Sequence, residues 1–138
     1  MTGRVVIVGA GQAGARVALG LRAAQFAGPI TLVGAEPHLP YERPQLSKEV
    51  LSDPDWSLQF IKPEDEWRTA EIDLRMGCAV VDADPAARTV ALAGGEELSY
   101  DHLVLATGTI ARQCGELAGL TVPIHVARTL EDAAAIRE

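Results

Sequence analysis

Residues 5–14 of this 138-residue chain read VVIVGAGQAG, a β-branched run that leads directly into a glycine-rich turn. Such a run is typical of a strand buried on both faces of a parallel sheet. Gly9, Gly11 and Gly14 follow in the pattern G-x-G-x-x-G. The first glycine permits a tight turn, the second lets backbone approach a pyrophosphate, and the third lets a helix pack close to the strand. The segment therefore predicts a dinucleotide-binding turn at a helix N-terminus, where unpaired N–H groups face the phosphates.

The residues after the turn complete a strand–helix–strand unit. Apolar residues recur at helical spacing from residue 12 to about residue 24, and these are Ala13, Val17, Leu21 and Ala24. Residues 30–33 form a second short strand, and Glu36 follows 22 residues after Gly14. A carboxylate about 20 residues beyond the glycines accepts hydrogen bonds from ribose hydroxyls. We expect Glu36 to have this role, with Ala35 as the alternative ribose-facing position.

The remaining residues predict an α/β fold. Residues 35–55 contain four prolines and indicate a structured loop with at most a short helix near 46–51. Further short helices are predicted at 64–70 and 130–137, and further strands at 74–76, 79–82, 89–93, 97–99 and 103–106. Asp84-Pro85 and Gly94-Gly95 resemble turns between strands. The expected architecture is a Rossmann-like parallel sheet with flanking helices and a small antiparallel β-meander.

Composition excludes several classes of protein. The formal net charge of −7 argues against nucleic-acid binding and against docking on anionic membranes, both of which use basic surfaces. No apolar run approaches the ~18 residues of a membrane span, and the N-terminus does not resemble a signal peptide. Cys78 and Cys114 are too few and too far apart for a disulfide framework or a zinc site. We expect a cytoplasmic protein without a metal site.

Three further segments carry a family resemblance. Residues 39–48, LPYERPQLSK, closely resemble the P-Y-x-R-P-x-L-S-K segment of FAD-dependent ferredoxin reductases, which supply electrons to oxygenase and P450 systems. Residues 100–108, YDHLVLATG, are similar to the Y-D-x-L-V-L-A-T-G motif of the same flavoproteins. Residues 128–133, RTLEDA, resemble the segment just before their NAD domain. The resemblance spans the chain and implies the putidaredoxin and rubredoxin reductase group of the pyridine nucleotide-disulfide oxidoreductase superfamily.

The resemblance also implies which residues contact FAD. Those that would line the pyrophosphate turn are Gly9, Gly11, Gln12, Ala13 and Gly14. Glu36 would bind the ribose, and Val80 would meet the adenine through its backbone. Residues implied to lie near the phosphates, the flavin ring or the rest of the cofactor are Arg43, Lys48, Ala106, Thr107, Gly108 and Arg128, the last reaching it from the hinge.

Lys48 is the implied catalytic residue. A fixed cation beside the isoalloxazine would stabilise negative charge on the reduced flavin. The residues alone leave open a solvated lysine that follows a helix N-cap at Ser47. Disulfide-reducing relatives carry a cysteine pair after the second strand, whereas residues 35–51 contain no cysteine. The resemblance therefore favours a flavin that takes a hydride and passes single electrons to an iron–sulfur partner.

These observations lead to one main expectation and two alternatives. We expect residues 1–115 to be the N-terminal part of an incomplete FAD-binding domain and residues 116–138 to be a hinge toward an absent NAD-binding domain. The full-length parent would pass electrons from NADH through FAD to a [2Fe–2S] ferredoxin or a rubredoxin, and this chain would be inactive alone. The alternatives are a non-catalytic nucleotide-binding module, disfavoured by the Lys48 segment, and an NAD-binding dehydrogenase domain, disfavoured by the Pro-rich loop.

Overall fold

A computed structural model describes residues 2–112, 115, 119 and 121–138, so Cys114 lies outside the described residues. The elements in chain order are β1 (Val5–Val8), α1 (Gln12–Ala23), β2 (Ile30–Val33), a 3₁₀ helix (Arg43–Ser47), α2 (Glu49–Ser52), α3 (Glu64–Thr69), β3 (Ile72–Arg75), β4 (Val80–Asp84), β5 (Thr89–Leu92), β6 (Glu97–Ser99), β7 (His102–Leu105) and α4 (Leu130–Arg137). None of the described helices combines the length and the apolar character that crossing a membrane requires.

The chain divides into two compact units. The first unit comprises Met1–Tyr41 and Phe60–Gly108, and the second comprises Glu42–Gln59 and Thr109–Glu138. The boundary expected between residues 115 and 116 stays a prediction.

A four-stranded parallel sheet forms the centre of the first unit. Its strand order is β3-β2-β1-β7, and the two inner strands are buried along their whole length. Val5 pairs with Ile30 on one side and with His102 on the other. Because β1 is central and both faces are covered, all four of its side chains are apolar, as expected for a buried parallel strand.

Successive residues of β1 belong to different cores because side chains alternate across a strand. One core lies on the α1 and α3 face, and its buried members are Val5, Ile7, Ala15, Ala18, Ile30, Leu32, Trp67 and Ile72. The other lies on the face covered by β5, and its buried members are Val6, Val8, Val33, Val90 and Leu92. The first unit therefore has three layers, with helices on one face of the parallel sheet and a second sheet on the other.

The second sheet is the predicted antiparallel meander, with the strand order β4-β5-β6. The carboxylate of Asp84 closes its first turn by accepting hydrogen bonds from the backbone N–H groups of Ala86 and Ala87, at 2.8 and 2.9 Å. The second turn uses Gly94 and Gly95, whose φ values of 108° and 90° suit glycine. Both predicted turns are confirmed.

Two details of the prediction are wrong. The core-facing residues of α1 are Gly14, Ala15 and Ala18, whereas Ala13 and Ala24 are exposed. Val17 and Leu21 pack against the helix-facing core as predicted, so helical periodicity gave the right element and half of its stripe. It missed the small residues that let α1 lie close to the sheet.

The third strand starts at Ile72, two residues earlier than predicted, and pairs in parallel with β2. Glu71, with φ of 52°, ends the turn after α3, and the strand begins at the next residue. The buried side chain of Ile72 then joins the helix-facing core, and this contact sets the beginning of the strand.

The second unit buries Leu46, Val50 and Ala133, and polar side chains add hydrogen bonds between its segments. Gln45 is buried, and its amide nitrogen donates to the carbonyls of Glu42 and Gln59 at 2.6 and 3.0 Å, while its oxygen accepts from the Gln59 N–H at 2.8 Å. Arg137 of α4 donates to the carbonyls of Val50 and Asp53. These bonds close the segment 42–59 and fasten α4 to α2.

Candidate functional site

The glycine-rich turn is fixed by close backbone contacts. Gly9 has a φ of 111°, and a Cβ at this position would lie 2.1 Å from the carbonyl oxygen of Ala106. A Cβ on Gly14 would lie 1.9 Å from the carbonyl oxygen of Gly9. No side chain can be accommodated at either distance, so both positions require glycine. The predicted roles of Gly9 in the turn and of Gly14 in helix–strand packing agree with this geometry.

Gly11 is a glycine for a different reason. None of the described residues lies within 4 Å of a Cβ built on it, and its φ of −80° is open to any residue. Gly11 is the N-cap of α1, no side chain caps the helix, and no acidic residue lies in its first turn. The N–H groups of this turn have no partner within the helix and carry the positive end of its dipole. An open approach to such groups fits a pyrophosphate, which a Cβ on Gly11 would obstruct.

The loops after three strands meet at one edge of the parallel sheet. The Gly9 N–H donates to the carbonyl of Val33 at 2.8 Å, and a Cβ on Gly34 would lie 2.6 Å from that of Ala10. The close approach of Gly9 to Ala106 brings in the loop after β7. Carboxyl ends of parallel strands are where ligands bind in open α/β sheets. Segments predicted separately from sequence are thus brought together in the first unit.

Of the predicted residues in the loop after β7, Ala106 continues the pairing with β1 by donating to the Val8 carbonyl at 2.8 Å. Thr107 and Gly108 are exposed, and Gly108 has a φ of 70°. The predicted Gln12 and Ala13 are exposed in the first turn of α1. All five therefore lie at or beside the edge formed by the glycine turn.

Glu36 lies two residues beyond Gly34 and is held by its backbone and its side chain. The Gly77 N–H donates to the Glu36 carbonyl at 2.9 Å, and the Tyr41 hydroxyl donates to the Glu36 carboxylate at Oε2. Ala35 is exposed and Glu36 is partly exposed. The Cys78 N–H donates to the Gly34 carbonyl at 2.9 Å, which brings the start of the meander, and the half-buried Val80, toward this loop.

The remaining predicted residues lie in the second unit. The guanidinium of Arg43 donates to the backbone carbonyl of Arg128, and the Arg128 N–H donates to the carboxylate of Asp132 at 2.9 Å. Asp132 also forms a reciprocal capping box with Thr129 at the start of α4. The backbone N–H groups of Thr129 and Arg128 stabilise the charged carboxylate and so lower the pKa of Asp132. The two family-like segments of this unit therefore contact each other.

Lys48 occupies the N-cap position of α2, so the interpretation of Ser47 as the N-cap is wrong. The Ser47 hydroxyl instead donates to the Pro44 carbonyl at 3.5 Å, because the 3₁₀ helix runs through Ser47. Lys48 is exposed and lines a cavity of about 380 Å³ within the second unit. Lys48 is the only basic residue among the described residues that line this cavity. The lining residues are Glu42, Pro44, Gln45, Lys48, Glu49, Asp53, Asp55, Trp56, Ser57 and Gln59.

Comparison with known proteins agrees with this geometry. A family model described as pyridine nucleotide-disulphide oxidoreductase matches residues 3–138. The chain belongs to this family. It is 49% identical over 134 residues to the p-cumate 2,3-dioxygenase system ferredoxin–NAD(+) reductase component of Pseudomonas putida, covering 97% of this chain and 33% of that protein. The chain thus spans about a third of the length of the curated relatives it matches.

Solved structures of similar proteins have the same fold. The covalent putidaredoxin reductase–putidaredoxin complex matches with a TM-score of 0.89 and 38% identity, over 98% of this chain and 33% of that one. The NADH:rubredoxin oxidoreductase of Clostridium acetobutylicum matches with a TM-score of 0.82 and 27% identity, over 99% of this chain and 35% of that one. The expected α/β architecture and the expected family are both confirmed.

Sequence reasoning missed two residues that organise this family member. Arg22 donates to four backbone carbonyls, those of Phe26, Gly28, Ala70 and Glu71, at 2.6–2.9 Å. Tyr41 is 5% exposed and bonds to Glu36. Helical spacing treats Arg22 as a surface residue, and nothing in the sequence near it indicates its partners. Tyr41 lies within the family-like segment 39–48, and this position was the available sign in the sequence that Tyr41 has a role at the site.

Proposed function

We propose that this chain is the FAD-binding N-terminal part of an oxidoreductase that passes electrons from NADH through FAD to a [2Fe–2S] ferredoxin or a rubredoxin serving an oxygenase or P450 system. Residues 1–115 belong to the FAD-binding domain in this proposal, and residues 116–138 lead toward the NAD-binding domain. NADH is the electron donor of the full-length protein. The chain alone is inactive because it has a single glycine fingerprint.

The observation that carries the proposal is the glycine turn at the carboxyl edge of the sheet. Two of its glycines are required by contacts under 2.2 Å, whereas a Cβ on Gly11, the second glycine of the motif, would meet no described residue within 4 Å. No contact within the described part of the chain therefore requires glycine at this position, whereas close approach of a pyrophosphate to the backbone does. Backbone N–H groups and the helix dipole suit the pyrophosphate of a dinucleotide without any basic side chain, so the acidic net charge is no obstacle.

The other proposed contacts bind different parts of FAD. Glu36 accepts hydrogen bonds from the ribose, Val80 contacts the adenine, and the loop at Thr107 and Gly108 borders the cofactor. Bound FAD supplies hydride acceptance and single-electron transfer, which no side chain can perform. Arg43, Lys48 and Arg128 supply positive charge, and Lys48 is the proposed catalytic residue because a fixed ammonium stabilises negative charge on the flavin ring.

FAD rather than NAD is favoured by the resemblance of the segment around Lys48 to FAD-dependent ferredoxin reductases. The relatives are named as ferredoxin–NAD(+) or NADH:rubredoxin reductases. The same reductases are the reason to propose an iron–sulfur or rubredoxin partner. The cytoplasmic location stays a prediction from cysteine content. The non-catalytic module and the dehydrogenase domain share the glycine turn, so the ligand that binds separates them from a reductase.

The direct test is titration of the purified chain with FAD, NAD and FMN. Binding of FAD and FMN is measured by the quenching of flavin fluorescence, and binding of NAD by calorimetry. We expect saturable FAD binding that exceeds binding of both comparators, since FMN lacks the adenosine half. A chain that binds NAD and ignores FAD would overturn the proposal. In the full-length reductase, NADH-dependent reduction of ferredoxin and of rubredoxin then measures partner preference.

A further inference from the structure

Tyr41 is buried beside the candidate ribose-binding carboxylate. Its side chain is 5% exposed, and its hydroxyl donates to Oε2 of Glu36. A buried phenol needs a partner for its hydroxyl, and a carboxylate is a stronger acceptor than a neutral oxygen. This bond restricts the carboxylate, because it favours those rotamers of the three side-chain bonds that keep Oε2 beside the phenol. Glu36 nevertheless stays partly exposed, so a ligand can reach it.

Both ends of the short segment that joins these residues are pinned by backbone bonds. At the Glu36 end, the Gly77 N–H donates to the Glu36 carbonyl at 2.9 Å. At the Tyr41 end, an isolated antiparallel bridge joins Tyr41 to Phe60, and the Ile61 N–H donates to the Pro40 carbonyl at 2.8 Å. The phenol and the carboxylate therefore face each other from fixed backbone positions, which makes the bond between them a fixed feature of the first unit.

The chemistry of the phenol suits a holder of this kind. A lysine or arginine in its place would neutralise the carboxylate and compete with the ribose hydroxyls as a donor. A phenol is neutral at ordinary pH, since its pKa is about 10. The phenol fixes the position of the Glu36 carboxylate without neutralising its negative charge, and this charge attracts hydroxyl donors. A carboxylate held in one rotamer loses less side-chain entropy when a ligand binds.

We propose that Tyr41 is a positioning residue that holds the Glu36 carboxylate for recognition of the adenosine ribose. The proposal rests on the proposed dinucleotide function and deepens it. Tyr41 touches Glu36 and acts on the ligand through that carboxylate. The consequence is specific: loss of the hydroxyl weakens discrimination at the ribose and leaves the pyrophosphate turn unaffected.

The test uses the full chain with ADP and 2′-deoxy-ADP as probes, because they report on the adenosine half alone. We expect the unchanged chain to prefer ADP by at least about tenfold, as for hydrogen bonds to a charged group. Tyr41→Phe keeps the ring and removes the hydroxyl, and we expect its preference to fall to about twofold. Tyr100→Phe is the matched control, since Tyr100 is the other tyrosine of the chain and lies in the meander-side core.

A double-mutant cycle separates positioning from a structural effect. If Tyr41 acts through Glu36, adding Tyr41→Phe to Glu36→Ala changes the ADP affinity no further. Glu36→Asp provides a second route should Tyr41→Phe fold poorly. Because this carboxylate is one methylene group shorter, we expect its bond to the Tyr41 hydroxyl to be lost and its preference for ADP also to fall.

The outcomes distinguish two failures. If the unchanged chain prefers ADP and Tyr41→Phe or Glu36→Asp keeps that preference, the positioning role is overturned and the proposed function stands. If the unchanged chain binds neither ADP nor FAD, the proposed function fails and the role of Tyr41 fails with it.

Discussion

Replacement of two glycines in the same turn by alanine should have opposite consequences. A Cβ on Gly14 meets the carbonyl oxygen of Gly9 at 1.9 Å, whereas a Cβ on Gly11 meets none of the described residues within 4 Å. Gly14→Ala therefore alters a contact within the folded chain. Gly11→Ala alters a surface at which we propose that the ligand binds. The two variants add the same methyl group, so a comparison of them separates the role of the motif in folding from its role in binding.

The cost of Gly14→Ala follows from the overlap. Ordinary contact begins at 3.4 Å, so α1 and the turn must separate by about 1.5 Å from the present 1.9 Å. The carbonyl oxygen belongs to the backbone, and the Cβ is fixed rigidly to the backbone of the helix, so this overpacking costs about 3 kcal/mol. The better helix propensity of alanine returns at most about 1 kcal/mol. We expect a net loss of about 2–3 kcal/mol and a fall in Tm of about 6–9 °C.

For Gly11→Ala we expect the free energy of unfolding to change by less than about 0.5 kcal/mol, because alanine is a slightly poorer N-cap but restricts the unfolded chain. The methyl group lies where the pyrophosphate would approach, so FAD affinity should fall at least about tenfold, or about 1.4 kcal/mol. Urea unfolding followed by circular dichroism and FAD titration measure the two quantities. A fully stable Gly14→Ala, or a Gly11→Ala chain that binds FAD normally, would refute the reasoning.

Three further predictions concern side chains. Arg22→Lys should lower the free energy of unfolding by about 2–4 kcal/mol in urea unfolding, because an ammonium cannot replace a guanidinium that donates to four carbonyls. Arg68→Lys, at an exposed arginine, is the control and should leave the stability unchanged. Asp132→Asn should cost about 1 kcal/mol near neutral pH. Because the folded-state pKa of Asp132 is lowered, its contribution is present above its ordinary pKa of 3.8 and is lost as pH falls through the lowered pKa, so wild type and variant should converge in acid. Lys48→Ala in the full-length reductase should slow flavin reduction by NADH by about 10²-fold in stopped flow, an effect comparable to the loss of one electrostatic stabiliser, and an unchanged rate would remove its proposed catalytic role.

The parts of the fold that could be predicted are those governed by local patterns. The run from Val5 to Val8 identified the central strand because a strand buried on both faces has no polar positions. Gly94-Gly95 identified a turn because the required φ values exclude most other residues. Both signals lie within a few residues of the structure they determine.

The parts that were missed depend on partners distant in sequence. The fully buried part of the α1 stripe was missed because Gly14, Ala15 and Ala18 are small, and periodicity gives more weight to larger apolar residues. Arg22 bonds to carbonyls 48 and 49 residues away, which no local window contains. Within the candidate site, the glycines and Glu36 follow a spacing rule, whereas a role for Tyr41 needs the folded position of its hydroxyl.

The walls of the glycine turn are built from main chain, since the contacts that fix it run from Gly9 and Gly14 to carbonyl oxygens and the surface at Gly11 is bare backbone. A pocket wall of this type keeps its shape while neighbouring side chains mutate, because peptide groups are common to all residues. Drift in the surrounding sequence is therefore free to alter charge, solubility and partner surfaces without altering the cradle itself. Retuning of ligand preference in such a protein is expected at positions that carry side chains, and the carboxylate after β2 is one of them.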